Sequence, residues 1–266
     1  MRWHLQQLGA GPALVLAHGT GASMHSWRDL MPQLAQRFSV TAFDLPGHGD
    51  TSGIPRGGMS LNAMSAAVGK LIEALGVQPA LVAGHSAGAA ILCRACLDGR
   101  LKPQAVVSLN GALLPLHRLQ KALFAPVARL LASTSLSSRL FVWGARDRRA
   151  VERLLASSGS SIDAAGVDQY WRLARSQSHV EGALQMMAQW DLDGLERDLP
   201  RLQPALMLLV GGNDRMVPPA EARKVQGLLP GASLVTLPGL GHLAHEERPD
   251  LVSEIMLGFA ERVRAA

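Results

Sequence analysis

A chain of 266 residues, 48% of them hydrophobic and 18% charged, is long enough to bury one large core and too evenly mixed to be disordered or fibrous. Its 26 lysines and arginines are interspersed with 21 acids, so the net charge of +5 forms no basic stripe and argues against a nucleic-acid partner. No run of about 20 apolar residues occurs to span a bilayer, and the short apolar run after "MRWHLQQLGAGP" does not read as a signal peptide, so the expectation is a cytoplasmic protein.

In chain order, the stretch 2–8 reads as a strand that runs almost directly into a second at 13–17. Further strands are expected at 39–43, 81–84, 105–109, 205–210 and 233–237, with helices at 31–36, 61–75, 87–97, 220–229 and 251–264. Short apolar strands alternating with helices predict an α/β, mostly parallel, doubly wound sheet covered on both faces. From 111 to 202 that rhythm stops, and helical patterns such as "AVERLLAS", "DQYWRLAR" and "VEGALQMMAQW" take over. The expected organisation is therefore a core of residues 1–110 and 203–266 with a helical cap at 111–202. Within it, 113–131 has amphipathic spacing interrupted by Pro126; a helix over the site is favoured over docking to a membrane surface. Arg118 and Arg129 read as solvated cations rather than as ligands for substrate carboxylates.

The chemistry centres on "LVAGHSAGAAI", an apolar strand running through Gly84-His85-Ser86-Ala87-Gly88 into a helix of small residues. This is G-x-S-x-G in the strand–turn–helix context that gives the motif meaning: the serine sits on a sharp turn, and glycines on either side let strand and helix approach. "LLVGGNDRMVP" puts Asp214 just past a strand, and "TLPGLGHLAHEERP" puts His242 in the loop after the next one. Ser86, Asp214 and His242 thus follow the chain order of a nucleophile, its orienting acid and its general base. In "LAHGTGASMHSW" a strand enters a glycine-rich turn, so the backbone N–H of Thr20 can pair with that of Ala87 as an oxyanion hole. His18 and His48 are expected to brace loops.

Met186, Met187 and Trp190, together with Leu184, are candidates to line an apolar substrate cavity, although the same spacing also serves a helix's packing face. The histidines lack the paired spacing of a metal site, so no metal and no cofactor are expected. Cys93 and Cys96 form C-x-x-C inside the helix after Ser86, where they read as small buried side chains rather than a redox pair.

Taken together these residues resemble the α/β-hydrolase fold family, whose cap is inserted after what the family counts as its sixth strand. "HGTGASMHSWRDLMP", "DLPGHG", "GHSAGAAI", "SLNGALLP", "VGGNDRMVPP", "MMAQWDLDGL" and "LPGLGHLAHEERP" resemble more closely the magnesium-chelatase accessory hydrolases of bacteriochlorophyll biosynthesis. The resemblance implies a catalytic triad of Ser86, Asp214 and His242, a bulky apolar substrate with a porphyrin among the candidates, and contact with magnesium chelatase. Its alternative is a tetrapyrrole-binding or chelatase-interacting protein that keeps the scaffold without using its chemistry. Lyase or cofactor-independent oxygenase chemistry is a third reading, while a serine at the elbow disfavours dehalogenase and epoxide-hydrolase chemistry, whose nucleophiles are carboxylates. The family commonly opens on an edge hairpin; here a single short strand stands in that place.

Overall fold

The computed structural model describes residues 1–115 and 135–265. Arg118, Arg129 and most of the amphipathic stretch 113–131 lie outside these residues. Seven strands form one sheet: β1 (Leu5–Leu8), β2 (Ala13–Ala17), β3 (Ser39–Phe43), β4 (Pro79–His85), β5 (Ala105–Leu109), β6 (Ala205–Gly211) and β7 (Ser233–Leu237). Their spatial order is β1-β3-β2-β4-β5-β6-β7. β1 runs antiparallel to β3 and every other pairing is parallel, so the expected opening strand is present, shortened, as one edge of the sheet.

Alternation along the strands divides the core. Val15 points into a layer with Met64, Val68 and Ile91, whereas Leu14 and Leu16 point into the opposite layer with Trp27, Leu34, Met256 and Phe259. The first layer includes side chains from α2 (Leu61–Ala74) and α3 (Ala87–Leu97). The second takes them from α1 (Met31–Leu34) and α11 (Pro249–Ala265). Because β2 is covered on both faces, its four residues Leu14 to Ala17 are fully buried, which explains an apolar run without a polar face. Each such leucine or valine contributes about 1.5–3 kcal/mol of burial.

Between β5 and β6 the described residues contain helices and no strand: α4 (Ser135–Gly144), α5 (Arg148–Ser157), α6 (Ala164–Ala174), α7 (Gln177–Gln189) and α8 (Asp193–Asp198). Asp147 and Asp163 start α5 and α6 by accepting the backbone N–H of Arg149 and Gly166. After β6 come α9 (Pro219–Leu228) and, beyond β7, the short α10 (Ala244–Glu247). No described helix is long and apolar enough to cross a membrane.

Register brings the strand ends level. Ala17 pairs with Gly84, His85 with Leu109, Leu109 with Leu209, and Gly211 with Leu237. The loops that leave β2, β4, β5, β6 and β7 therefore emerge side by side at the carboxyl edge. Between β2 and β4 the strand order reverses, the place where open α/β sheets leave a crevice.

Candidate active site

Ser86 links β4 to α3 with φ of 51° and ψ of −118°, a left-handed conformation rare for a side-chain-bearing residue. The chain can turn this sharply because its neighbours are small. A Cβ on Gly84 would lie 2.4 Å from the Ala89 nitrogen, and one on Gly88 would lie 2.2 Å from the Ala17 carbonyl oxygen. Ser86 itself is half-buried, and its N–H donates to the Leu109 carbonyl at 3.0 Å.

Asp214 follows β6 and is buried. One carboxylate oxygen, Oδ1, accepts the backbone N–H groups of Met216 and Val217 at 2.8 and 2.9 Å. The other, Oδ2, lies 2.8 Å from His242 Nδ1 and 2.8 Å from Asn110 Nδ2. A carboxylate can only accept here, so Nδ1 of a neutral His242 carries the proton and Nε2 keeps its lone pair. The arrangement can take a proton at Nε2 and stabilise the resulting imidazolium.

Two neighbouring histidines pack beside the loop that carries His242. His85, the residue before Ser86, donates from Nε2 to the His242 carbonyl at 2.9 Å, and its ring centroid lies 4.7 Å from that of His242. On its other side, 4.5 Å away, is His245. Burial holds both neutral: His85 is lowered well below the ordinary histidine range and His245 to about 3. His245 Nε2 meets Ser26 Oγ at 2.7 Å, and Ser26 donates to Glu246, which also accepts the hydroxyl of Tyr170 on α6. Burial raises the Glu246 carboxyl to about 7. A polar chain thus runs from the helical segment through Glu246 to the loop that carries His242.

The turn after β2 passes directly over the elbow, since a Cβ on Gly19 would lie 3.0 Å from Ser86 Cβ. This sets Thr20 beside the start of α3, where Ala87 supplies the first N–H of the helix and its dipole favours negative charge. As expected, His18 braces this loop: Nδ1 donates to the Gly19 carbonyl at 2.8 Å and Nε2 accepts the Leu45 N–H at 2.8 Å. Burial lowers His18 to about 3, in keeping with one donating and one accepting nitrogen. His48 is likewise buried, with Nδ1 on the Pro46 carbonyl at 3.0 Å.

The three candidate substrate contacts separate. Met186 is fully buried in the first apolar layer, with Sδ 3.5 Å from Thr20 Oγ1. Met187, one helical step further on, is 58% exposed and is not brought to the site, because consecutive helical residues point about 100° apart. Trp190 packs, partly buried, against the apolar layer that contains Ile91. Cys93 and Cys96 are free thiols; burial pushes Cys93 up to about 12 and Cys96 also upward, so neither is a ready thiolate.

Among the described residues one group has metal-compatible spacing, His4, Asp44 and Asp50. Its Asp44 carboxylate is engaged by the amides of Met24 and Asp50 and by His4. This group borders a cavity of about 330 Å³ between β1, the 23–28 loop and α6, which none of Ser86, Asp214 and His242 lines. Asn110, His85, Ser26 and Glu246 were not singled out by motif reasoning. Asn110 had a signal, since it lies in "SLNGALLP", but an Asn-Gly pair after a strand reads first as a turn.

A model of the α/β-hydrolase fold family matches residues 12–249. The magnesium-chelatase 30 kDa subunit of Rhodobacter capsulatus is 39% identical, over 94% of this chain and 87% of its own length. Pyrrolizixenacetamide deacetylase of Xenorhabdus hominickii is 29% identical, over 91% and 88%. Among solved structures, an α/β-hydrolase fold protein from Burkholderia ambifaria superposes with a TM-score of 0.81 at 22% identity, covering 97% of this chain and 94% of that one.

Proposed function

This chain belongs to the α/β-hydrolase fold family, and from that premise we propose that it is a serine hydrolase acting as an accessory to magnesium chelatase in bacteriochlorophyll biosynthesis. Its target is an ester or related acyl bond on a bulky apolar molecule, with a tetrapyrrole the favoured class. The observation that carries the chemistry is the 2.8 Å bond between His242 Nδ1 and Asp214 Oδ2, in a chain whose Ser86 stands on a strained elbow. The chelatase assignment rests on likeness to the Rhodobacter capsulatus protein named as a chelatase subunit, and the pathway on the motifs that resemble the accessory hydrolases.

In this reading Ser86 Oγ attacks the acyl carbon while its proton passes to His242 Nε2. The N–H groups of Thr20 and Ala87 hold the oxyanion. Collapse of the tetrahedral intermediate expels the alcohol, which takes the proton from His242, and leaves an acyl-Ser86. Water, deprotonated by the same imidazole, then releases the acid and restores the serine. Asp214 keeps the proton of the resting imidazole on Nδ1 throughout. Segment 111–202 serves as the cap, and the contact of the buried Met186 on α7 with Thr20 supports its seating beside the turn after β2.

A second reading, binding to a tetrapyrrole or to chelatase without catalysis, is favoured by the word "subunit" in that relative's name. One experiment divides the two. A pigment-forming host lacking the gene is complemented with wild type or with Ser86→Ala, after the variant is checked for folding and accumulation, and its tetrapyrroles are extracted. Failure of the alanine variant to rescue, together with loss of fluorophosphonate labelling, is the expected result. Full rescue by it sinks the catalytic role and leaves the binding one.

A further inference from the structure

The turn at the centre of "SLNGALLP" touches Ser86, Asp214 and the loop that carries His242. The Leu109 carbonyl accepts the Ser86 N–H at 3.0 Å, and the Ala112 N–H donates to the Ser86 carbonyl at 3.1 Å. Between them, Asn110 sends Nδ2 to Asp214 Oδ2 at 2.8 Å and to the carbonyl of Gly241, the residue before His242, at 3.3 Å. One four-residue turn thus grips the nucleophile's peptide, the acid's carboxylate and the base's peptide.

Asn110 keeps this position at a cost. Its φ is 47°, and among non-glycine described residues only Ser86 shares a positive value. Its side chain is buried, and its Oδ1 finds no hydrogen-bond partner among the described residues. A left-handed backbone and an orphaned buried acceptor both work against stability, and such features persist where geometry matters more. Asparagine fits as few residues can: it tolerates the left-handed region and offers a short, uncharged donor. Gly111 lets the turn close, because a Cβ there would lie 2.0 Å from Ser108 Oγ.

We propose that Asn110 is a positioning residue for acid and base, and that the turn from Leu109 to Ala112 is the frame that spaces all three catalytic groups. This rests on the reading of Ser86, His242 and Asp214 as the catalytic machinery. The amide N–H withdraws charge from the same carboxylate oxygen that faces His242, so it moderates how strongly Asp214 holds an imidazolium as well as where it sits. His85, whose ring centroid lies 4.7 Å from that of His242, and His245 are both kept neutral by burial, and Glu246, raised to about 7 and joined to His245 through Ser26, is common to wild type and variants, so a difference between their pH–rate profiles reports the change at position 110.

The test uses the full chain and a fluorophosphonate probe, whose rate of attachment to Ser86 is followed against pH. Asn110→Gly allows the left-handed backbone and removes the amide; Asn110→Asp keeps the shape and replaces the donor by an acceptor. Asn110→Gly is expected to label about 10- to 100-fold more slowly, with the acid-side midpoint moved up by about one pH unit because Asp214 then presents more charge to the base. Asn110→Asp is expected to lose more above pH 7, where two adjacent carboxylates repel. Labelling of Asn110→Gly at the wild-type rate with an unmoved midpoint overturns the proposal, as does a lower Tm whose rate and profile match wild type below that temperature. Wild type that labels no better than Ser86→Ala overturns instead the catalytic reading on which it stands, and the proposal with it.

Discussion

Strand β2 and helix α4 are both rich in large apolar side chains, but the fold treats them oppositely. Leu14, Val15 and Leu16 are fully buried, whereas Leu140, Phe141 and Trp143 are 59%, 44% and 66% exposed. The sheet is held by close packing on both faces. The described helical segment also sends buried side chains into the first layer, Met186 and Leu195 among them, and it meets the sheet-side loops at Gly182 on α7 against Gly47, at His179 bridging the Gly49 amide and the Gly21 carbonyl, and at Tyr170 on Glu246. Packing on both faces fixes the strands, and with them the points from which the loops at the carboxyl edge leave, whereas the exposed side chains of α4 hold no such layer together.

Breaking the sheet side has the largest expected effect. Leu16→Ala leaves a cavity between layers and is expected to cost about 2–5 kcal/mol in urea unfolding; a loss below about 1 kcal/mol would mean that the layer can collapse. Acid attacks the sheet side and its contacts with the helical segment together. His18, His25 and His245 are held near 3 when folded, and His48, His85 and His179 are also lowered, all chiefly by burial. The unfolded chain binds protons below about 6.5 where the folded one does not, so stability present above that pH is lost as pH falls toward 3. Each fully shifted histidine contributes up to about 1.4 kcal/mol per pH unit in that window. Glu246, raised to about 7, works in the opposite sense but is one group against six. Circular dichroism and tryptophan fluorescence should therefore report one coincident acid transition; two separated transitions would show the helical segment leaving first.

The attachment points come next in size. Gly182→Ala would place a Cβ 2.0 Å from the Gly47 carbonyl oxygen, and a loss of about 1–3 kcal/mol is expected. Tyr170→Phe removes one of the two hydroxyls donating to Glu246 and should cost about 1–2 kcal/mol, more above pH 7 where the carboxylate is ionised. At the small end, Trp143→Ala is expected to change stability by less than about 0.5 kcal/mol, as measured by the midpoint of urea unfolding. A larger loss would place Trp143 in a contact and weaken the contrast with β2.

Much of this organisation was legible beforehand. The strands came out within a few residues of their expected bounds because an apolar run between glycine and proline has few alternatives at that length. The expected candidates Ser86, Asp214 and His242 fall at one edge of the sheet because a parallel sheet brings all its carboxyl ends to one side. What escaped was side-chain direction and partnership: Met186 and Met187 looked alike as candidates, and no motif marked Asn110 as a partner of Asp214.

The sequence by itself determined the strand–helix alternation, the sharp elbow at Ser86 and the chain order of Ser86, Asp214 and His242, since these depend on local pattern and backbone sterics. Tertiary structure alone decided that Asn110 would bond a carboxylate 104 residues away, that Met186 rather than Met187 would meet Thr20, and that six histidines would be held neutral. The reason is physical: which groups lose their water, and which partners replace it, is settled only when segments far apart in the chain pack together.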